Sequence, residues 1–84
     1  MPTDKMLLQQ TLKMLASFRG TPVSESVLGD YVENGLHRAI TTQNLRGALD
    51  YCKDRGWVDH RINDLREDTW WITDAGRARL SEMW

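Results

Sequence analysis

The 84-residue chain holds a single cysteine, Cys52, so no disulfide can form within it. That excludes a small secreted scaffold stapled by disulfides and fits a reducing compartment. It also lacks any apolar run approaching the roughly 20 residues that cross a membrane. The opening Met1-Pro2-Thr3-Asp4-Lys5 does not follow the basic-then-apolar order of a signal peptide. The expectation is a cytoplasmic protein with no membrane partner. An excess of either charge is missing too, with 11 Lys and Arg against 12 Asp and Glu, a net −1. A dedicated nucleic-acid binder is usually basic, so total charge alone does not point to one. Finally, there is no glycine-rich phosphate loop, no G-x-S-x-G turn and no H-E-x-x-H pair. His37, Cys52 and His60 do not stand at zinc-binding spacing. Catalysis, a metal and a cofactor are therefore not expected.

What is present suits one globular domain spanning residues 1–84. A domain of this size buries only about 60–65% of the surface its unfolded chain exposes, so large side chains matter. Four tryptophans supply some of that area. Charge is unevenly spread. Leu36 to Arg66 holds six basic and four acidic residues, a net +2, while the flanks sum to −1 and −2. The middle is the electropositive part.

Three helices are expected. In the first, Leu7, Leu8, Leu12, Met14, Leu15 and Phe18 share one arc of the helical wheel, and Gly20 and Pro22 stop it. The second starts at Ser24, whose hydroxyl can cap the first turn, with Val23 and Leu28 spaced as a hydrophobic staple. Its inner face should be Val27, Leu28, Tyr31 and Val32, and Asn34-Gly35 should end it through a left-handed glycine. The third runs from about Thr42 to Arg55, capped by Thr41 or Thr42 and stopped by Gly56. Leu45, Ala48, Leu49 and Cys52 follow the i, i+3, i+4, i+7 rule and face inward. Gln43, Arg46, Gly47, Asp50, Lys53 and Asp54 form the opposite stripe.

After Gly56 the period changes to two. Trp57–Ile62 reads as a strand with Val58 and Ile62 on one face, and Thr69–Ile72 as a second with Trp70 and Ile72 together and Trp71 opposed. Between them lies a polar six-residue tip, Asn63 to Asp68. Thr73 can cap a short last helix, Asp74 to Met83. Leu80, Met83 and Trp84 are either a partner surface or core folded back on the first helix.

Three helices leading into a hairpin, with Thr41-Thr42-Gln43-Asn44-Leu45-Arg46-Gly47-Ala48-Leu49 entering the third and Arg55-Gly56-Trp57-Val58 leaving it, resemble the winged helix-turn-helix superfamily. Ile72-Thr73-Asp74-Ala75-Gly76 is similar to that family's return from wing to last helix. In size and general pattern the chain also resembles the small winged-helix proteins of Mu-like bacteriophages and prophages. The implied fold is α+β, mainly α, with a two-stranded hairpin wing and a short C-terminal helix. The implied function is a DNA-binding transcription regulator of phage or prophage origin, its third helix in the major groove and its wing beside it.

On that resemblance the DNA-binding candidates are Thr41, Thr42, Gln43, Asn44 and Arg46 at the start of the third helix, then Lys53 further along it. Gln and Asn can pair with adenine, Arg with guanine, and Thr can donate or offer its methyl. On the wing, Arg61, Asn63 and Arg66 could reach phosphates or a minor groove, against the opposing charge of Asp64, Glu67 and Asp68. His37 and Arg38 are either backbone contacts or turn surface. Gly47 costs helix stability and implies close approach, either by a partner or by a neighbouring element. The implied partner is double-stranded DNA, and a homodimer would add a second reading helix. The rival reading, favoured by the near-zero net charge, is a protein-binding module or accessory phage protein.

Overall fold

The computed structural model describes residues 4–83. Its elements are α1 (Lys5–Ser17), β1 (Val23–Ser24), α2 (Glu25–Leu36), α3 (Thr42–Asp54), β2 (Val58–Ile62), β3 (Asp68–Ile72) and α4 (Asp74–Met83).

Helix α1 is the spine. Asp4 caps it, its carboxylate accepting from the N–H of Met6 at 2.9 Å. Leu7, Leu8, Leu12 and Leu15 are buried as their arc requires, while Met14 and Phe18 lie at the rim. Thr11 is buried among them because its hydroxyl donates to the Leu7 carbonyl at 2.7 Å, leaving no unpaired polar atom. Helix α1 packs against α2, α3, α4 and β3.

Helix α2 begins where its cap predicts, with the Val27 N–H donating to the Ser24 hydroxyl at 3.4 Å. Val23 and Leu28 are both buried, as a staple across that cap should be. Two expectations for this helix fail. Val27 and Tyr31 are exposed, because the contact line is centred on Leu28 and Val32 and leaves the edge of the apolar arc outside. Tyr31 instead meets the Phe18 ring edge-on at 5.5 Å. Nor does Gly35 end the helix, which runs to Leu36 with His37 in the left-handed conformation after it. Gly35 serves close packing: a Cβ there would stand 1.8 Å from Gln10 Nε2 on α1.

Helix α3 keeps its expected bounds to within a residue. The Thr41 hydroxyl accepts from the Asn44 N–H at 3.0 Å, Gly56 takes φ +76°, and Leu45, Ala48, Leu49 and Cys52 are buried. Burial pushes the Cys52 thiol up to about 12.

The sheet has three antiparallel strands in the order β1-β3-β2, not the two expected. Strand β1 pairs Val23 with Trp70 and Ser24 with Thr69. It is too short to show an alternating pattern, and its partner is remote in sequence. Strands β2 and β3 form the hairpin, Val58 opposite Ile72 and Ile62 opposite Asp68, so Asp68 belongs to β3 and the tip is shorter than expected. Trp70 and Ile72 are buried on one face and Trp71 is half-buried on the other. Val58 is buried but Ile62 is 59% exposed, because the hairpin continues past the end of the helical layer. That overhang is the wing.

The Thr73 hydroxyl caps α4, accepting from the Gly76 N–H at 3.1 Å and donating to the Gly56 carbonyl at 2.6 Å. Leu80 leans on the core. The Met83 side chain and Trp84 lie outside the described residues, as do Met1, Pro2 and Thr3.

Candidate nucleic-acid interface

Four buried residues hold α3 by one side, so the opposite side is free of the fold. Thr42, Gln43 and Asn44 are exposed on its first turn, and Gly47, Asp50 and Asp54 continue the outward line. Thr41 sits just before them, its hydroxyl occupied as the cap. Lys53 is exposed on the flank, with no ion pair among the described residues.

Arg46 does not project into open solvent as its spacing predicts. Its Nε donates to Glu25 Oε1 at 2.8 Å and its Nη2 to Asp68 Oδ2 at 2.9 Å, with the guanidinium 5.7 Å from the Trp70 ring centre. The same Glu25 oxygen accepts from Trp70 Nε1 at 3.0 Å. The other Asp68 oxygen lies 2.7 Å from His60 Nε2, whose ring sits 4.4 Å from that of Trp70. A carboxylate can only accept, so His60 carries a proton on Nε2. One network thus joins α2, α3, β2 and β3. Hydrogen bonding from His60, and then the Arg46 charge, hold the Asp68 carboxyl below its usual range. The Glu25 carboxylate raises Arg46 further above its own.

Glu25, His60, Asp68 and Trp70 were not among the sequence candidates. Glu25 and Asp68 stand 21 and 22 residues from Arg46, and no local spacing links them.

The wing candidates divide. Arg61 and Arg66 are exposed and carry no ion pair among the described residues; Arg66 takes a left-handed φ of 60° within the tip. Asn63 is committed to the turn. Its Oδ1 accepts from the N–H groups of Leu65 and Glu67, both at 2.9 Å, and its Nδ2 donates to Glu67 Oε1 at 3.1 Å. Behind α3, His37 closes α2 and Arg38 pairs with Asp4, which accounts for both within the fold.

Between the start of α2, the start of α3 and the wing tip runs an open cleft of about 460 Å³. Its charged lining is Glu25, Asp30, Glu33, Glu67 and Asp68 against Arg66. Glu33 is partly spent on capping the loop before α3, accepting from the Ile40 N–H at 3.1 Å. Arg66 apart, such a lining repels phosphate. No helix among the described residues is long and apolar enough to cross a membrane. Nor do three or more His, Cys, Asp or Glu side chains gather there as a metal site would need.

No protein-family model matches this sequence, and no curated relative does. Solved structures do match. A MarR-family transcriptional regulator from Silicibacter pomeroyi shares 22% identity over 95% of this chain and 49% of its own, with a TM-score of 0.80. Bacillus subtilis PadR, solved in complex with operator DNA, shares 19% over 98% of this chain and 48% of its own, at 0.75. A winged-helix DNA-binding protein from STIV shares 16% over 89% of this chain and 79% of its own, at 0.74. The chain spans about half the length of the first two. At these identities the likeness is one of fold, and the fold is the winged helix-turn-helix.

Proposed function

We propose that this winged-helix chain binds double-stranded DNA as a transcription regulator, the first half of α3 entering the major groove and the wing resting beside it. The observation that carries the reading is the uncovered first turn of α3. Thr42, Gln43 and Asn44 are exposed at the end of a helix anchored by its leucines, beside a hairpin bearing two unpaired arginines. The N-terminal part of such a helix reaches base edges. Structural neighbours that include an operator-bound regulator support the same reading. The chain acts by binding, as one domain in the cytoplasm, and the pattern shared with small Mu-like phage proteins supports a phage or prophage setting. Two copies would offer two reading helices to a symmetric site, because one such helix contacts few base pairs. Sedimentation with and without duplex checks that pairing.

Fluorescence anisotropy on mixed-sequence duplex at several salt concentrations tests the reading. Bound cations displace counterions, so log affinity should fall linearly with log salt, with a shallow slope because the proposed face carries few cations. The acidic cleft favours a second reading, a winged-helix module that docks a basic segment of another protein. No duplex binding even at low salt would select it.

A further inference from the structure

Glycine inside a helix is disfavoured, because it gives up more backbone freedom than any other residue and packs no side chain. Other helical glycines of this chain have a reason within the fold. A Cβ at Gly29 would lie 3.3 Å from Leu45 Cδ2, one at Gly35 1.8 Å from Gln10 Nε2, and one at Gly76 2.0 Å from the Trp57 carbonyl oxygen. Gly47 has no such reason. It is exposed in the second turn of α3, and a Cβ there would meet no atom within 4 Å. Its φ is not in the left-handed region, so conformation does not call for glycine either. Packing against a neighbouring element, one of the two accounts open at the sequence level, is therefore excluded.

The surroundings of Gly47 indicate what approaches. It lies at the centre of the outward face, with Gln43 one turn before it and Asp50 one turn after. Arg46, the adjacent long side chain, is drawn aside onto Glu25 and Asp68. The middle of the face is consequently bare backbone, flanked by an amide and a carboxylate, with no cation on that line. A phosphate would be repelled by Asp50. Base edges would not, because a carboxylate accepts from the cytosine amino group and a glutamine pairs with adenine.

We infer that Gly47 is where the floor of the major groove meets the α3 backbone, with Gln43 and Asp50 reading bases on either side and Arg46 serving as a support outside the contact. This rests on the DNA-binding reading and assigns its specificity residues. A duplex selected by the unaltered protein from a randomised pool is titrated with the Gly47→Ala, Gly47→Leu and Asp50→Asn variants. Alanine should raise Tm by a few degrees, since it is the better helix former and clashes with nothing. It should nevertheless weaken binding to the selected duplex at least five-fold, and leucine should weaken it more. Asp50→Asn should change the preferred base at one position. Undiminished affinity of Gly47→Ala, or stronger binding of Asp50→Asn to all duplexes alike, overturns this inference while leaving DNA binding standing. Failure of the unaltered protein to bind any duplex overturns both.

Discussion

The guanidinium of Arg46 lies 2.8 Å from the carboxylate of Glu25, which places the most suggestive base reader of α3 inside the fold's own ion network. Only 13% of the Glu25 side chain is exposed, and the oxygen that meets Arg46 also accepts from Trp70 Nε1. Arg46 reaches on to Asp68, the β3 residue paired with Ile62 at the tip end of the hairpin. Its fork therefore ties α3 to both α2 and the hairpin, a task that suits a planar group with several donors.

Replacing Arg46 by Ala should lower stability by about 1–2 kcal/mol, because a poorly solvated carboxylate is deprived of its charged donor. For a domain of this size that is a fall in Tm of at least about 4 °C. Affinity for duplex should drop by a similar factor whatever base pair is changed, since the whole wing is loosened and no single base pair is deprived of its reader. A drop confined to one base-pair position would show instead that Arg46 leaves Glu25 to read it. Arg46→Lys should not restore stability, because its three donors share one nitrogen and do not span two carboxylates as the guanidinium fork does.

Asp68 gives the fold a pH dependence of known sign. Its carboxyl is held below the usual 3.8, chiefly by the hydrogen bond from His60 and further by Arg46. A group depressed in the folded state stabilises fully above its unfolded value and loses that contribution as pH falls through the folded one. Thermal unfolding followed by circular dichroism should thus show Asp68→Asn less stable than the unaltered chain at neutral pH. The two curves should draw together as pH drops below about 4. Asp4, depressed in the same direction by Arg38, is present in both proteins and cancels from the comparison. Parallel curves would mean that Asp68 titrates alike folded and unfolded.

What the sequence disclosed was local. The α3 helix was legible because its cap, its apolar spacing and its terminal Gly56 all lie within one unbroken stretch, Thr41 to Gly56. The wing was legible for the same reason, in the alternation of Trp70, Trp71 and Ile72. Strand β1 was not, since two residues carry no period and their partners lie on β3. Gly35 misleads because its neighbour is Gln10 of another helix, and a glycine kept for close packing looks the same in sequence as one kept for a turn. The partners of Arg46 were illegible for the same cause. Spacing places Arg46 near the outward stripe, but not which carboxylates draw it back.

Glycines at 76 and 47 should respond in opposite directions to alanine. At Gly76 a Cβ would lie 2.0 Å from the Trp57 carbonyl oxygen and 2.9 Å from its carbon, both backbone atoms that cannot rotate away. Either α4 or the start of β2 must shift, at a cost of about 1–3 kcal/mol. Gly76→Ala should therefore lower Tm, outweighing the gain in helix propensity that alanine brings in an open position such as 47. Calorimetry on the two variants reads the signs directly. A rise in Tm for Gly76→Ala would show that α4 packs more loosely on Trp57 than the contact implies.

Asn63 separates a structural from a reading role on the wing. Its side-chain oxygen accepts two backbone N–H groups of the tip, so the turn that presents Arg66 is built around it. Asparagine is suited to this, since its short side chain mimics a backbone acceptor. Asn63→Ala should leave the Leu65 and Glu67 amides unbonded and speed their hydrogen exchange, with little change in the buried pairs at Val58 and Ile72. Asn63→Asp keeps the acceptor and should keep the protection, losing only the bond to Glu67 and adding a repulsion there. Duplex affinity should consequently fall for Ala through a frayed wing and for Asp through charge, and the Asp deficit alone should grow as salt is lowered. Were Asn63 instead a minor-groove reader, both variants would lose discrimination between A·T and G·C pairs while the Ala hairpin stayed protected. Amide exchange and base preference measured on the same pair of proteins tell these apart.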